Sequence, residues 1–365
     1  MSNYDKLSPE AMLEYIKETP AVLHRILEER KTITADFVRD FAKHDYQKLE
    51  IIGSGTSYHG GLSVRSFMER TLGINVDVNY PMLYREWAQV FNQPTAVIGI
   101  SQGGESKSTI SGLVYAKAHG CRTFSLAQEG RHTKLAAQAD IPLQISCGEE
   151  LAGPKTKGYQ ATMLTLVLLA AETALALKRI SDSKYALIIT RLEKTIENLA
   201  AVIDQSISWY ERNREAFKSA KRIIVVGYQA NYGNVLEGRL KLEEAIRFGV
   251  EGYELEEFMH GIYHSIDEGV HLIHLASAGE YQPRIKRLRD FMTPYSEHQY
   301  LIGSFTETEQ PKGLDLNGHF IDDPDFAVFE YIIPLQCVAF FLSRDLGINA
   351  NIPKIINFHY LMGSK

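Results

Sequence analysis

Gly53-Ser54-Gly55-Thr56-Ser57 and Ser101-Gln102-Gly103-Gly104-Glu105-Ser106 decide how this chain is read. Each follows a run of β-formers, Leu49-Glu50-Ile51-Ile52 and Ala96-Val97-Ile98-Gly99-Ile100, and each precedes a helical pattern. A glycine-relaxed turn rich in hydroxyls at a helix N-terminus offers backbone N–H groups, Ser/Thr hydroxyls and a favourable dipole. A phosphate monoester is held by those three things. Two such turns converge only if their strands are neighbours in a parallel sheet, where ligands bind at the carboxyl ends. One Gly/Ser-rich turn means little, but two in consecutive βα units favour a phosphate site.

Outward from these turns, strand and helix patterns alternate between residues 46 and 180, with strands near 49–53, 74–78, 95–100, 122–126 and 141–145. That alternation predicts βαβ units and a parallel sheet covered on both faces. Residues 1–45 read as a helical segment that starts at Ser8-Pro9-Glu10, with Pro20 breaking its first helix. A linker helix is expected over 181–220. A second α/β domain follows over 221–348, with strands at 222–227, 270–276 and 299–303 and a closing helix near 328–343. Residues 349–365 form a tail. Ile51-Ile52-Gly53 through Tyr58 and Val225-Val226-Gly227 through Tyr232 share apolar, glycine and tyrosine positions, a faint internal repeat whose second copy lacks the hydroxyls.

The composition excludes several classes. With 365 residues, 45% hydrophobic and 23% charged, the chain is an ordinary globular protein long enough for two domains. A net charge of −6 argues against nucleic acid. The basic run Arg284-Ile285-Lys286-Arg287-Leu288-Arg289 reads as the solvated side of a helix. Three scattered cysteines indicate neither a disulfide framework nor a metal site, and no cofactor is called for. The N-terminus lacks a secretory pattern, and the apolar runs 163–171 and 332–342 are short for a bilayer, so a cytoplasmic protein without membrane contact is expected.

Past Gly227, Glu237, Lys241 and Glu244 fall at i, i+4 and i+7 on one helical face. Carboxylate, ammonium, carboxylate suits proton transfer, the lysine keeping a carboxylate ionised as base while burial raises its basicity. The same spacing serves an exposed helix with ion pairs, and spacing alone does not separate the two. His260 stands sixteen residues beyond Glu244, between apolar and glycine neighbours. It is either packed or able to give a proton to a sugar-ring oxygen.

Taken together, these residues resemble the sugar isomerase (SIS) family, and within it the isomerase half of glucosamine-6-phosphate synthase and the related deglycases. Gly55-Thr56-Ser57-Tyr58-His59 and Ser101-Gln102 with Gly104-Glu105-Ser106 look like its phosphate loops. Glu150-Leu151-Ala152-Gly153-Pro154-Lys155 resembles its substrate loop. Glu237, Lys241 and Glu244 followed by His260-Gly261 match its proton-transfer helix and ring-opening histidine. Met12 through Leu23, Tyr331 with Pro334-Leu335-Gln336, and Asn349-Asn351-Pro353 resemble its entry helix, closing helix and tail. The resemblance implies two doubly wound three-layer α/β SIS domains, a tail over the active site, and a homodimer or higher oligomer whose histidine serves the neighbouring subunit. It implies Glu244, His260 and Lys241 as catalytic residues. Gly55, Thr56, Ser57, Ser101, Gln102, Ser106, Gly153, Lys155 and Glu237 would bind substrate.

The departures narrow the expectation. No glutaminase half precedes Ser2, so ammonia from glutamine is not expected. A family serine in the second loop is Gly103, one in the substrate loop is Lys155, and Gly261 is followed by Ile262 rather than proline. Phe358 stands where the synthase carries its Schiff-base lysine. A substrate that already carries an amine needs no such lysine. The expected activity is therefore a deglycase acting on a phosphorylated sugar–amine adduct of the fructosamine or glucoselysine 6-phosphate type. The alternatives are an aminosugar-phosphate isomerase or deaminase and a non-catalytic sugar-phosphate sensor. A dinucleotide enzyme is weaker still: Gly53 and Gly55 begin that fingerprint, but Tyr58 replaces its third glycine and Asp77 is all that remains of its acidic partner.

Overall fold

The computed structural model describes residues 8–128, 130–306 and 309–365; residues 1–7 of the expected N-terminal segment lie outside the described residues. The chain forms two compact units. The loop unit comprises Ala21–Glu150, Lys157–Thr190 and Pro353–Lys365, and the carboxylate unit comprises Met1–Pro20, Leu151–Thr156 and Arg191–Ile352.

The chain opens with helices α1 (Ala11–Glu28) and α2 (Arg30–Phe41). The loop unit continues with β1 (Lys48–Ile52), α3 (Thr56–Leu72), β2 (Asn75–Asn79), α4 (Pro81–Trp87), β3 (Thr95–Ile100), α5 (Lys107–Ala118), β4 (Arg122–Ala127), β5 (Ile141–Gln144) and α6 (Lys157–Ala176). Its strands run parallel in the order β2-β1-β3-β4-β5. After α7 (Asp182–Arg212) and α8 (Arg214–Ser219), the carboxylate unit carries β6 (Arg222–Gly227), α9 (Asn231–Ile246), β7 (Val250–Glu254), α10 (Leu255–Phe258), β8 (Val270–Ala276), α11 (Gln282–Met292), β9 (Gln299–Gly303), β10 (Leu316–Asn317) and α12 (Val328–Asp345). The short α13 (Phe358–Leu361) lies in the tail. The second sheet, β10-β9-β8-β6-β7, repeats the first order and is again parallel. The fold is thus α/β with two parallel five-stranded sheets, and the central strands are buried along nearly their whole length because helices cover parallel sheets.

Several expectations need correction. Pro20 does not break α1, which runs through it; Ile16, Val22, Leu23 and Ile26 are all buried, and the burial of that stripe outweighs one missing backbone donor. The apolar run at 163–171 belongs to the longer α6, which by length and composition could cross a membrane. It is instead buried against α2 and α3. In α11, Ile285 faces the core as expected, but Arg289 is interior too, donating to Asp315 at 2.6 Å. The short β7, α10 and β10 carry little periodicity and are absent from the sequence reading, whereas α4 is the helix expected between the strands at 74–78 and 95–100.

His271 and His274 point inward from β8. His274 Nε2 lies 2.8 Å from Gln299 Oε1, and His271 stacks on His298 with its Nδ1 2.9 Å from the Tyr300 hydroxyl. Burial pushes them down to about 4 and about 3, respectively. Both are neutral in the fold, whereas the unfolded chain takes up their protons near the ordinary histidine value. Their contribution to stability is complete above that value and is lost as pH falls toward the depressed ones. His274 alone should contribute about 1.4 kcal/mol per pH unit between about pH 6 and 4. Denaturant unfolding across that range should show this slope, and His274→Gln should remove about one proton's worth of it. An unchanged slope would mean the site admits the charged ring.

Candidate functional site

In the loop unit, Ile52 of β1 is the register partner of Gly99 of β3, so both hydroxyl-rich turns leave adjacent parallel strands. The strand order reverses between these two strands, the switch point at which ligands bind in doubly wound sheets. Gly55 adopts φ +55° at the start of α3, a conformation costly for other residues, and as a glycine it offers that helix no side-chain cap of its own. Thr56 opens the helix, and Ser57 behind it is buried.

In the second turn, Gly104 at φ +65° donates its N–H to Ser101 O at 2.8 Å. Ser101 Oγ accepts from the Ser106 N–H at 3.4 Å, and Ser106 Oγ caps α5 by accepting from Thr109 N–H. Ser106 thus has a structural task in capping α5. The Lys107 N–H, also in the first turn of α5, donates to Ser364 O of the tail at 3.1 Å. A Cβ on Gly103 would meet no atom within 4 Å, so the serine found there in the family would fit. Gln102 Nε2 donates to Glu150 Oε2 at 2.9 Å.

In the carboxylate unit, α9 packs on α12 so closely that a Cβ on Gly238 would lie 2.2 Å from Leu335 Cδ1. That contact buries the face bearing Glu237 and Lys241, which are 0% and 1% exposed. Lys241 Nζ lies 3.5 Å from Glu237 Oε1 and 2.6 Å from Glu244 Oε2. Glu237 has no accessible surface with which to touch a substrate, so its place is that of a buried counter-charge. Glu244 keeps a 37% exposed side chain. Burial is the largest influence on it and holds the carboxyl above its ordinary range, against the pull of Lys241 and the smaller pull of Lys155. Lys155 therefore stands within electrostatic reach of the base. Its loop is fixed from below: a Cβ on Gly153 would meet Ala350 O at 3.2 Å. Arg247, just past the end of α9, donates to Asn349 O and Ile352 O of that same segment, at 3.2 and 2.6 Å.

His260 sits exposed on the turn after α10. Glu254 caps α10 through the N–H groups of Glu256 and Glu257, and Leu255 and Phe258 anchor the turn in the core. Its side chain hydrogen-bonds to no described residue, so the structure does not join it to the Glu244 row. Phe358 is half-exposed in the tail. The sequence reading gives no task to Glu150, Gly158 or Arg247. Glu150 lies within a quoted motif, but its partners are set by folding rather than spacing. Among the described residues no cluster of His, Cys, Asp or Glu could hold a metal.

Comparison with known proteins bears on the same residues. The SIS domain pattern matches residues 44–172. A glutamine–fructose-6-phosphate aminotransferase (isomerizing) of Gloeobacter violaceus is 26% identical over 94% of this chain, which spans 57% of that relative's length. A crystal structure from Clostridium difficile, provisionally assigned as a phosphosugar isomerase, is 33% identical with TM-score 0.90, covering 97% of this chain and 98% of its own. One from Salmonella typhimurium, provisionally a sugar-binding protein, is 36% identical with TM-score 0.80, covering 90% and 98%. The paired strand-end turns, the α9 carboxylates and these matches agree: the chain belongs to the SIS domain family.

Proposed function

We propose that the protein is a sugar-phosphate deglycase that releases an amine and a hexose 6-phosphate from a phosphorylated ketosamine. The observation that carries this reading is the buried Glu237–Lys241–Glu244 row with Glu244 alone open to a ligand. Binding a sugar phosphate needs no such row, which speaks against a mere sensor. Phe358, which cannot form a Schiff base, supports a substrate that brings its own amine.

In this reading the loops at Thr56–Ser57 and Ser101–Ser106 hold the 6-phosphate. His260 donates a proton to the ring oxygen and opens the sugar; its exposure supports delivery to a second copy of the chain in a homodimer. Glu244 takes the proton from C1 of the open-chain ketosamine and returns it to C2, while the nitrogen gives up its N–H proton and the C2 oxygen gains one, so the C2 carbonyl becomes an alcohol and the C1–N bond becomes an imine. Water adds to that imine, and the C–N bond breaks to give the free amine and an aldose 6-phosphate.

The test is incubation with lysine- and aspartate-linked fructosamine 6-phosphates beside glucosamine 6-phosphate, reading hexose 6-phosphate and amine release. Turnover of glucosamine 6-phosphate alone would replace the deglycase with a deaminase, and binding without turnover would leave a sensor. Glu244→Gln should lower kcat by about 10²–10⁴-fold with substrate binding retained; near-parental kcat would overturn the mechanism. Ser101→Ala with Thr56→Val should raise KM, each lost bond to a charged group being worth about 1.5–3 kcal/mol. Lys155→Met removes a charge that favours ionised Glu244, so the acidic limb of the pH–rate profile should move to higher pH. A limb that stays in place would detach Lys155 from the base.

A further inference from the structure

Glu150 is nearly inaccessible, 3% exposed, in a loop where a carboxylate needs donors to stay buried. Three converge on it. Its Oε1 accepts the Lys157 N–H at 3.2 Å, and its Oε2 accepts the Gly158 N–H at 3.0 Å. Both belong to the first turn of the twenty-residue α6, whose N–H groups have no partner within the helix and whose dipole favours a negative charge. The third donor is Gln102 Nε2, at 2.9 Å from the same Oε2. Gln102 is also held by its backbone, where its carbonyl accepts the Gln128 N–H at 2.9 Å. Gly158 makes the fit possible: a Cβ there would lie 2.2 Å from Gln102 Nε2 and 2.5 Å from its Cδ and Oε1.

This arrangement settles which way the Gln102 amide faces. A carboxylate accepts only from the NH₂ end, so Nε2 is turned to Glu150; its other close neighbour is Cys147 Sγ at 4.0 Å. Oε1 hydrogen-bonds to no described residue and is an acceptor only. An acceptor repels a phosphate dianion and suits a hydroxyl. We propose that Glu150 is a positioning residue that fixes Gln102 as an acceptor for a substrate hydroxyl, leaving the phosphate to the backbone N–H groups and the serine and threonine hydroxyls of the turns. The inference rests on the sugar-phosphate reading above and adds to it a division of labour within the second turn.

The test compares fructose 6-phosphate with inorganic phosphate as ligands of the full chain. Glu150→Gln puts a second NH₂ donor against Gln102, and Gln102→Ala removes the acceptor. Each should weaken fructose 6-phosphate binding about tenfold, the worth of one hydrogen bond, while inorganic phosphate changes less than about twofold. The double variant should bind no more weakly than Gln102→Ala alone, since Glu150 acts through Gln102. Gly158→Ala crowds the amide with Glu150 intact and should show the same split if Glu150→Gln fails to fold. Equal losses for both ligands, or additive losses in the double variant, would overturn the proposal, since a mere helix cap or a phosphate ligand behaves that way. If the parent binds neither ligand, the sugar-phosphate reading falls. The Gln102 side-chain amide signal in NMR then decides the positioning: order lost in Glu150→Gln upholds it, and order unchanged overturns it.

Discussion

The parallel pairing of β1 with β3 is the constraint on which the loop unit depends. With Ile52 beside Gly99, both strands end at the same edge of the sheet and at the same level. The turn is tight as well as adjacent. A Cβ on Gly53 would lie 2.9 Å from Ser57 Cβ and 3.3 Å from Ile100 O, so the backbone after β1 lies against the end of β3. A slip of one residue along either strand would turn its buried side chains to the opposite face and part the two turns. The burial of Leu49, Ile51, Ile52, Val97, Ile98 and Ile100 fixes the register, and the register sets the spacing of the turns.

A second constraint is electrostatic. An ammonium as buried as that of Lys241 is costly without a counter-charge. Glu237 and Glu244 flank it, and removing one partner of such a buried pair costs about 3–5 kcal/mol. The two carboxylates are chemically equal and differ in surroundings. Glu237 lies under the contact of α9 with α12, and Glu244, two turns on, keeps exposed surface. One helix thereby supplies both an inert counter-charge and a carboxylate with raised basicity.

The strands and the turns were legible because their signals are local: β-branched runs, glycines and hydroxyls adjacent in sequence. The i, i+4, i+7 row was legible as a pattern, but its meaning was not, since spacing fits an exposed ion-pair ladder equally well. What decided it was Leu335 pressing on Gly238, a contact between residues nearly a hundred positions apart. Pro20 misled because its local cost is real and tertiary burial exceeds it. Arg289 misled because Asp315, which makes its burial tolerable, is distant in sequence. Glu150 went unread for the same reason, as its partner Gln102 stands 48 positions earlier in the chain.

The faint repeat between Ile51–Tyr58 and Val225–Tyr232 falls on β1–α3 and β6–α9, equivalent positions in two sheets of one strand order. The two switch points differ in what occupies them. At the second, the Tyr228 hydroxyl donates to Ser277 O and Asn231 Nδ2 to Ser277 Oγ at 2.9 Å, tying the end of β6 to the end of β8. Asp322 adds a carboxylate that accepts the Ala278 N–H at 3.1 Å and the Tyr331 hydroxyl at 2.7 Å. Side chains of the protein occupy the donors that an anion would use, and a fixed negative charge stands beside them. Where the first turn carries hydroxyls, the second carries these internal bonds. With its N-terminal end closed in this way, α9 keeps its chemistry along its flank rather than at its tip.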